Sequence, residues 1–348
     1  MVSRYKVWGL WLIVVSGVSL ISFGLRLSQI EFDFGLPTGT AQTGTFLVIN
    51  DESEPTTVNV TLADWDRLPD GENRFIEPGS VARSAANWVT FAPAQFTLAP
   101  DESVEVRFTL TVPTDITGTF WTALLVEGSP RQVETPGGTT VLVRRRFAVK
   151  ILETPPGSGP LEGRITDIQI GGQNPLTTVV QFENTGLVNM PGVKGRVEVR
   201  DTGGTTVESI PIEEFPVLPG AQRVLQVLSQ RPLGQTLPPG RYQVLTILDF
   251  GGANLLGGQL VLDIEPLALV PLNDAGNLPQ DLDEDGFFED VNGDGVFDDN
   301  DPILLGFQLN EPGVQENIRA FDFDNDGDVD FDDVLNLRQR LAEASEAG

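Results

Sequence analysis

The chain has 348 residues with 22 basic and 50 acidic side chains, and its formal net charge of -28 excludes nucleic-acid binding as its main function. It has no cysteine and no histidine, which excludes disulfides, thiolate or imidazole metal sites, and nucleophiles activated by a histidine. A hydrophobic content of 40% with 37 Gly and 25 Pro favours a turn-rich β protein with hydrophobic cores.

The N-terminal segment is basic at first and then apolar. Arg4 and Lys6 precede nineteen uncharged residues that end at Leu25, which predicts an export signal or a membrane anchor over residues 1–25. Small residues at the two positions that a signal peptidase recognises permit cleavage after Gly24, and cleavage is the favoured interpretation. In both cases the basic flank stays inside, which predicts an extracellular or cell-surface protein.

Short alternating strands separated by turns follow over residues 26–153. In the run SVEVRFTLTVP, for example, Phe108, Leu110 and Val112 share one strand face, and the residues between them are polar. Period-two alternation at this spacing predicts an antiparallel β-sandwich whose inner face forms the core.

Two segments rich in turn-forming residues divide the rest of the chain. The run TPPGSGP over residues 154–160 predicts a linker, because its prolines lack N–H donors and its glycines are permissive. A second series of alternating strands over 161–265 predicts a second sandwich. A further linker is expected over 266–279 and an acidic module over 280–343. The predicted fold class is mainly β, with two tandem antiparallel β-sandwiches before a small α-helical module.

Two stretches of the first sandwich carry a family resemblance, namely FLVINDESEPTTVNV and FTLAPDESVEVRFTLTVPTDITGTFWTALLVEG. They resemble the Ig-like domains of bacterial surface proteins, among them the WxL-interacting type that binds cell-wall material. More loosely, they are similar to periplasmic pilus-assembly chaperones. The resemblance implies an Ig-like architecture in which the acidic and glycine turns set hairpin geometry.

The main enzymatic candidate is a carboxylate pair beside an aromatic residue. Asp64, Trp65 and Asp66 would suit a glycosidase, but no further site residues accompany them, and a strand end running into a polar loop is the favoured interpretation. Trp88 and Trp121 lie in alternating strands and are expected in the sandwich core. We therefore expect no catalytic residues.

Acidic residues are concentrated at the C-terminal end. From Asn273 onward 22 acidic side chains accompany three arginines, a net charge of -19 out of the total of -28. A salt-adapted surface would spread its charge over the whole chain, so this concentration predicts a local function. Two twelve-residue stretches here have the spacing of an EF-hand loop, DVNGDGVFDDND from Asp290 to Asp301 and DFDNDGDVDFDD from Asp322 to Asp333.

Calcium takes about six to eight oxygen ligands, and an EF-hand loop supplies them from positions 1, 3, 5, 7, 9 and 12, with glycine at position 6. Both stretches meet this template, with Gly295 and Gly327 at the bend, and together they predict two calcium ions. The expected ligands of the first loop are the side chains of Asp290, Asn292, Asp294 and Asp301, that of Asp298 either directly or through water, and the carbonyl of Val296. Those of the second loop are the side chains of Asp322, Asp324, Asp326, Asp330 and Asp333 and the carbonyl of Asp328.

A third acidic run lies just upstream of the first loop and repeats the first half of the template. Its position 12 falls on Asn292, so it lacks the closing carboxylate and is not expected to be an independent site. Its members are Asp281, Asp283, Asp285, Gly286 and Glu289.

Each loop is followed by an apolar segment, Pro302 to Leu309 and Val334 to Leu341, and the second has clear helical periodicity, whereas no periodic helix precedes either loop. This unit, repeated with loop starts 32 residues apart, resembles the type I dockerin domain over about Asp290 to Leu341. The resemblance implies a calcium-folded module that docks onto a cohesin domain of another protein through the exposed helix faces. The candidate contact residues are Asn336, Arg338, Gln339 and Arg340.

These features predict a non-catalytic secreted or surface protein that docks onto a cohesin-type partner in the presence of calcium. An accessory component, or an enzyme, of an extracellular polysaccharide-degrading complex is a second hypothesis. A pilus-type assembly chaperone is a third, and a calcium-dependent adhesin whose sandwiches contact cell wall or glycan is a fourth. No nucleic-acid partner is expected, and membrane contact is expected only through an uncleaved N-terminal segment.

Overall fold

The computed structural model describes residues 24–134, 140–173, 175–231 and 236–347. Nearly all of the predicted export segment therefore lies outside the described residues. Within the described ranges, no helix is both long enough and apolar enough to cross a membrane.

The first sandwich consists of two facing sheets and a separate hairpin. Its strands are β1 (Leu25–Leu27), β2 (Glu31–Phe34), β3 (Ala41–Asn50), β4 (Thr56–Arg67), β5 (Asn73–Ile76), β6 (Val89–Ala92), β7 (Gln95–Leu98), β8 (Ser103–Thr111), β9 (Phe120–Gly128), β10 (Arg131–Glu134), β11 (Thr140–Val143) and β12 (Arg146–Glu153). One sheet has the order β1-β3-β8-β6, and the other has the order β2-β12-β9-β4-β5 with β7 also paired to β4. Strands β10 and β11 form the hairpin.

The alternation predicted for β8 is confirmed. Val106, Phe108 and Leu110 are fully buried between the two sheets, where they meet Leu124 of β9 and Ile151 of β12. The residues between them in β8 are exposed or half-buried. One face of the strand therefore forms the core and the other faces water.

One strand pair departs from the antiparallel pattern expected from the sequence. Strands β2 and β12 run parallel, with Glu31 opposite Lys150. The N-terminal part of the sandwich is divided between the sheets, because β1 pairs with β3 whereas β2 pairs with the last strand. Turn signals predict pairing between consecutive strands, and they carry no information about two strands that lie this far apart in the chain.

The second sandwich follows after residues 154–160, which form no helix or strand. Its strands are β13 (Gly163–Gln173), β14 (Leu176–Asn184), β15 (Met190–Arg200), β16 (Thr206–Val217), β17 (Gln222–Leu228), β18 (Gly240–Asp249) and β19 (Leu256–Ile264). The sheets have the orders β13-β14-β17 and β16-β15-β18-β19, and all their pairs are antiparallel. Phe182, Val197 and Leu248 are among the fully buried residues between them.

The two sandwiches share a small apolar contact. Leu218 of the second sandwich packs with Trp65, Trp121 and Leu152 of the first. The Trp121 Nε1–H donates a hydrogen bond to the Trp65 carbonyl at 2.6 Å. Trp121 lies in its strand as expected and is buried in this contact between the sandwiches. Trp88, expected in a strand of the core, instead ends a 3-10 turn and is half-buried against the first core.

The acidic module contains the helices of the described chain apart from one 3-10 turn, Ala86–Trp88. They are α1 (Asn300–Gln308), α2 (Pro312–Gln315), α3 (Ile318–Phe321) and α4 (Phe331–Ala347). Helices α1 and α4 follow the two loops as predicted. The short helices α2 and α3 precede the second loop and were not predicted, because one turn is too short to show a helical period.

A separate hydrophobic core holds this module together. Leu305 of α1, Phe321 of α3 and Leu337 of α4 are fully buried in it. The segment 266–279, expected to be a linker, lies against the module and contributes Leu272 to the core. The packed unit thus begins before the acidic loops themselves.

Candidate calcium centre

The first loop folds its backbone around the carboxylate of Asp290. Asp290 Oδ1 accepts hydrogen bonds from the N–H groups of Gly293 (2.8 Å) and Asp294 (3.1 Å), and Oδ2 accepts one from Gly295 (2.7 Å). Asn292 Oδ1 accepts a hydrogen bond from the Asp294 N–H at 2.9 Å. Gly295 has a φ of 89°, in the left-handed region that favours glycine. The bend at position 6 is therefore present as the template requires.

Asp301 closes the same loop from the first turn of α1. Its Oδ1 accepts a hydrogen bond from the Asn292 N–H (3.1 Å) and its Oδ2 accepts one from the Asp298 N–H (2.8 Å). The Asp294 carboxylate accepts another from the Val296 N–H (3.0 Å). Asp301 is fully buried, and the positive end of the helix dipole favours its charge there. Backbone N–H groups of the loop thus donate hydrogen bonds to the carboxylates at both of its ends.

The second loop repeats this arrangement. Asp322 accepts hydrogen bonds from the N–H groups of Asp326 and Gly327, both at 3.0 Å. Asp333 accepts one from the Asp330 N–H at 2.7 Å, as Asp301 does from the equivalent residue of the first loop. The two loops, which differ in sequence, therefore form the same pattern of hydrogen bonds.

The carboxylates of the second loop lie close together. Asp322, Asp324 and Asp333 each present an oxygen, and these three oxygens lie within 4.8 Å of one another. The same holds for Asp328, Asp330 and Asp333. Clustered carboxylates repel one another unless a cation neutralises them, and an all-oxygen donor set suits calcium. The residues of the second loop therefore fit the ion that the sequence predicts.

Burial changes the acidity of the loop carboxylates. It raises the pKa of Asp322 to about 7 and that of Asp301 and Asp333 to about 6. In the metal-free fold these acids are thus partly protonated near neutral pH. Calcium needs the ionised carboxylates, so the ion and the protons compete for the same oxygens.

This competition predicts a pH dependence. Because these pKa values are raised in the folded module, protonation of the three acids stabilises the calcium-free fold most fully below pH 3.8, the ordinary pKa of Asp. That stabilisation is lost as the pH rises through the folded values of about 6 to 7. Calcium binding should therefore strengthen from about pH 5.5 to pH 8 and release protons near pH 6. Calorimetry in two buffers of different ionisation enthalpy measures this release. Equal heats in the two buffers at pH 6 would contradict it.

The second loop also contacts the second sandwich. The Asn325 side chain donates hydrogen bonds to the Pro175 carbonyl and to Thr177 Oγ1, both at 3.0 Å. These partners lie where β13 turns into β14. The loop is therefore supported by the sandwich on the side that carries position 4.

An apolar face between α1 and α4 was missed in the sequence. Phe307 is 81% exposed and Phe331 is 60% exposed, and the exposed Ile303 lies beside them. Phe307 and Phe331 line a groove of about 550 Å³ together with Pro302 and other residues of the two helices. Large apolar residues exposed together indicate a protein-binding surface. The sequence feature that could have indicated this face is the pair Ile303 and Phe307, which lie four residues apart and form a second apolar stripe on α1.

The four candidate contact residues on α4 do not share one face. Arg338 lines the apolar groove. Arg340 points to the other side, because two residues correspond to about 200° around a helix, and its Nη1 donates to Asp285 Oδ2 at 2.8 Å. The side chains of Asn336 and Gln339 donate hydrogen bonds within α4. Among the four, only Arg338 is brought to the groove.

The third acidic run also forms a cluster. Asp281, Asp283, Asp285 and Glu289 each present one oxygen, and these oxygens lie within 4.8 Å of one another.

The glycosidase candidates have structural partners instead. Asp64 is fully buried within β4, and its carboxylate accepts hydrogen bonds from Ser84 Oγ (2.7 Å) and the Val81 N–H (3.1 Å). Asp66 forms an ion pair with Arg74 of β5. Both acids thus hold loop and strand segments in place.

Comparison with known proteins finds a family match in the C-terminal part of the chain. The family model of the dockerin type I domain matches residues 288–342. The E. coli chaperone DraB is 17% identical over 70% of this chain and 97% of its own, with a TM-score of 0.33. A chain from the Salmonella enterica SafA pilin and SafB chaperone complex is 16% identical over 68% and 97%, with a TM-score of 0.34. The comparison with curated proteins found no significant match. Residues 288–342 thus form a type I dockerin-like module at the end of a mainly β chain.

Proposed function

We propose that this chain attaches, through its C-terminal module, to a cohesin-type domain of another protein, and that calcium bound in the two loops holds the module in its docking form. The sandwiches form the body that the module attaches. The predicted export segment supports a place outside the cell for this association.

The observation that carries the proposal is the duplicated loop network. In both loops the acid at position 1 accepts hydrogen bonds from the backbone of positions 5 and 6, and the acid at position 12 accepts one from position 9. In the second loop, three carboxylate oxygens also lie within 4.8 Å of one another, as a calcium site requires. The family match over the same residues supports cohesin as the partner class.

The apolar groove supports a docking face on the helices that follow the loops. Phe307 of α1 and Phe331 of α4 lie on it, and each helix carries the closing acid of a loop in its first turn. Calcium that fixes Asp301 and Asp333 would thereby fix the relative positions of the two helix starts. This arrangement links the ions to partner binding.

The partners of the two candidate acids support a non-catalytic role for the sandwiches. Asp64 is enclosed and hydrogen-bonded, and Asp66 is paired with Arg74. A general acid needs access to a substrate oxygen, which Asp64 lacks.

Capture on immobilised type I cohesin domains tests the proposed function. The full chain should bind at least one cohesin in about 1 mM calcium, a concentration that fills extracellular calcium sites, and should be released by excess chelator. Restoring calcium should restore binding. Equal binding with and without calcium, or binding to no cohesin by a chain that holds both ions, would contradict the proposal.

A further inference from the structure

The acidic run upstream of the first loop adopts the backbone geometry of a calcium loop. Asp281 accepts hydrogen bonds from the N–H groups of Asp285 (3.2 Å) and Gly286 (2.8 Å), the same positions that bond to Asp290 and Asp322 in the two loops. Gly286 has a φ of 91°, close to the 89° of Gly295. The third run is therefore folded like the first half of an EF-hand loop.

The next positions continue the likeness. Asp283 Oδ1 accepts a hydrogen bond from the Asp285 N–H at 3.1 Å, and Asp285 Oδ1 accepts one from the Phe287 N–H at 2.9 Å. In the first loop, Asp294 accepts the equivalent bond from position 7 at 3.0 Å. The backbone thus presents positions 1, 3, 5 and 7 in the same way.

Glu289 supplies the carboxylate that the sequence template lacks. Its Oε1 accepts a hydrogen bond from the Leu282 N–H at 2.7 Å, whereas its Oε2 is buried and has no hydrogen-bond partner among the residues that the structure describes. The residue is only 7% exposed, and its carboxylate belongs to the cluster with Asp281, Asp283 and Asp285. A buried carboxylate oxygen without a partner is costly unless a ligand satisfies it.

Arg340 of α4 is a positive group that faces this cluster. It donates to Asp285 Oδ2 and stacks on the Phe287 ring at 4.4 Å. A carboxylate oxygen has two lone pairs, so this bond leaves Asp285 able to bind a cation. One arginine against four carboxylates leaves a strong excess of negative charge at the cluster.

We propose that Asp281, Asp283, Asp285 and Glu289 bind a third calcium ion, in a half-loop closed by Glu289 from position 9 instead of by position 12. The site differs from the sequence expectation, which required an acid at Asn292. Three of its four acids lie outside the residues that match the dockerin family model, and it goes beyond the two ions of the proposed function. Through Arg340 the half-loop also contacts α4.

Native mass spectrometry of the full chain in calcium counts the ions directly. We expect three ions in the wild type, two in Glu289→Gln and two in Asp283→Asn. The matched control is Glu284→Gln, which removes the same charge from an exposed position of the half-loop outside the cluster, and it should keep three.

Each contrary ion count has a distinct meaning. Two ions in the wild type, with one lost in each of Asp290→Ala and Asp322→Ala, would overturn the third site and leave the proposed function intact. Three ions in Glu289→Gln would overturn it as well. A loss of two ions in both Glu289→Gln and Asp283→Asn would show that the cluster supports the first loop instead of holding its own ion, which also overturns the proposal.

Discussion

Asp322→Ala is expected to remove one calcium ion and to lower the melting temperature of the C-terminal module, and Asp290→Ala is expected to do the same at the other loop. Each acid is buried at position 1 and accepts backbone hydrogen bonds that shape its loop. Without the carboxylate, both the ion and the loop geometry lose their support. Calorimetric melting with a calcium count measures both effects.

The size of the effect follows from mass action. A site filled at about 100 times its dissociation constant stabilises the fold by about 2.7 kcal/mol, which is lost with the ion. For a unit of this size that corresponds to a fall of roughly 10 to 20 °C in melting temperature. The transitions of the two sandwiches should change far less, because their cores are separate from that of the module.

Asp332→Ala is the matched control for Asp322→Ala. Asp332 is exposed at position 11 of the second loop, and its side chain is outside the acidic clusters. Its loss should cost about 0.3 to 1 kcal/mol through the helix dipole and leave the ion count unchanged. An unchanged ion count in Asp322→Ala, or the same loss in Asp332→Ala, would refute the assignment of the second loop.

Phe307→Ala and Phe331→Ala are expected to weaken cohesin binding strongly while the calcium count stays constant. Both rings are largely exposed, so their removal costs little folding energy, yet both line the groove between α1 and α4. Aromatic anchors at the centre of an interface contribute about 2 kcal/mol or more, which corresponds to roughly 30-fold weaker binding. Surface-based binding measurements in calcium give this ratio.

Leu142→Ala on the β10–β11 hairpin is the control for these two variants. It shortens an equally exposed apolar side chain on the first sandwich, far along the chain from the module. It should leave cohesin binding unchanged. If Phe307→Ala and Phe331→Ala bind as the wild type does, the docking face lies elsewhere on the module.

The bends and hydrogen bonds of the two loops could be predicted from the sequence because they are determined locally. Calcium ligands occupy fixed positions within twelve residues, so the spacing from Asp290 to Asp301 carries nearly all the necessary information. The same is true of the alternation in β8, where Phe108 and Leu110 lie on the buried face. Both features depend on neighbours along the chain.

Features that depend on distant residues could not be predicted in this way. Glu289 closes the upstream half-loop from an unexpected position, because the fold of the preceding residues brings its side chain to Asp281. Arg340 was a candidate partner contact, but its ion pair with Asp285 spans 55 positions of sequence. The parallel pairing of β2 with β12 has the same origin. In each case tertiary packing determines the outcome.

Hydrogen exchange of the full chain, with calcium and with excess chelator, tests the central claim most directly. If calcium organises the docking module, peptides from residues 281–341 should exchange much faster without the ion. Peptides from the sandwich cores, such as those of β8 and β15, should exchange at the same rate in both conditions. Identical protection of residues 281–341 with and without calcium would contradict the account.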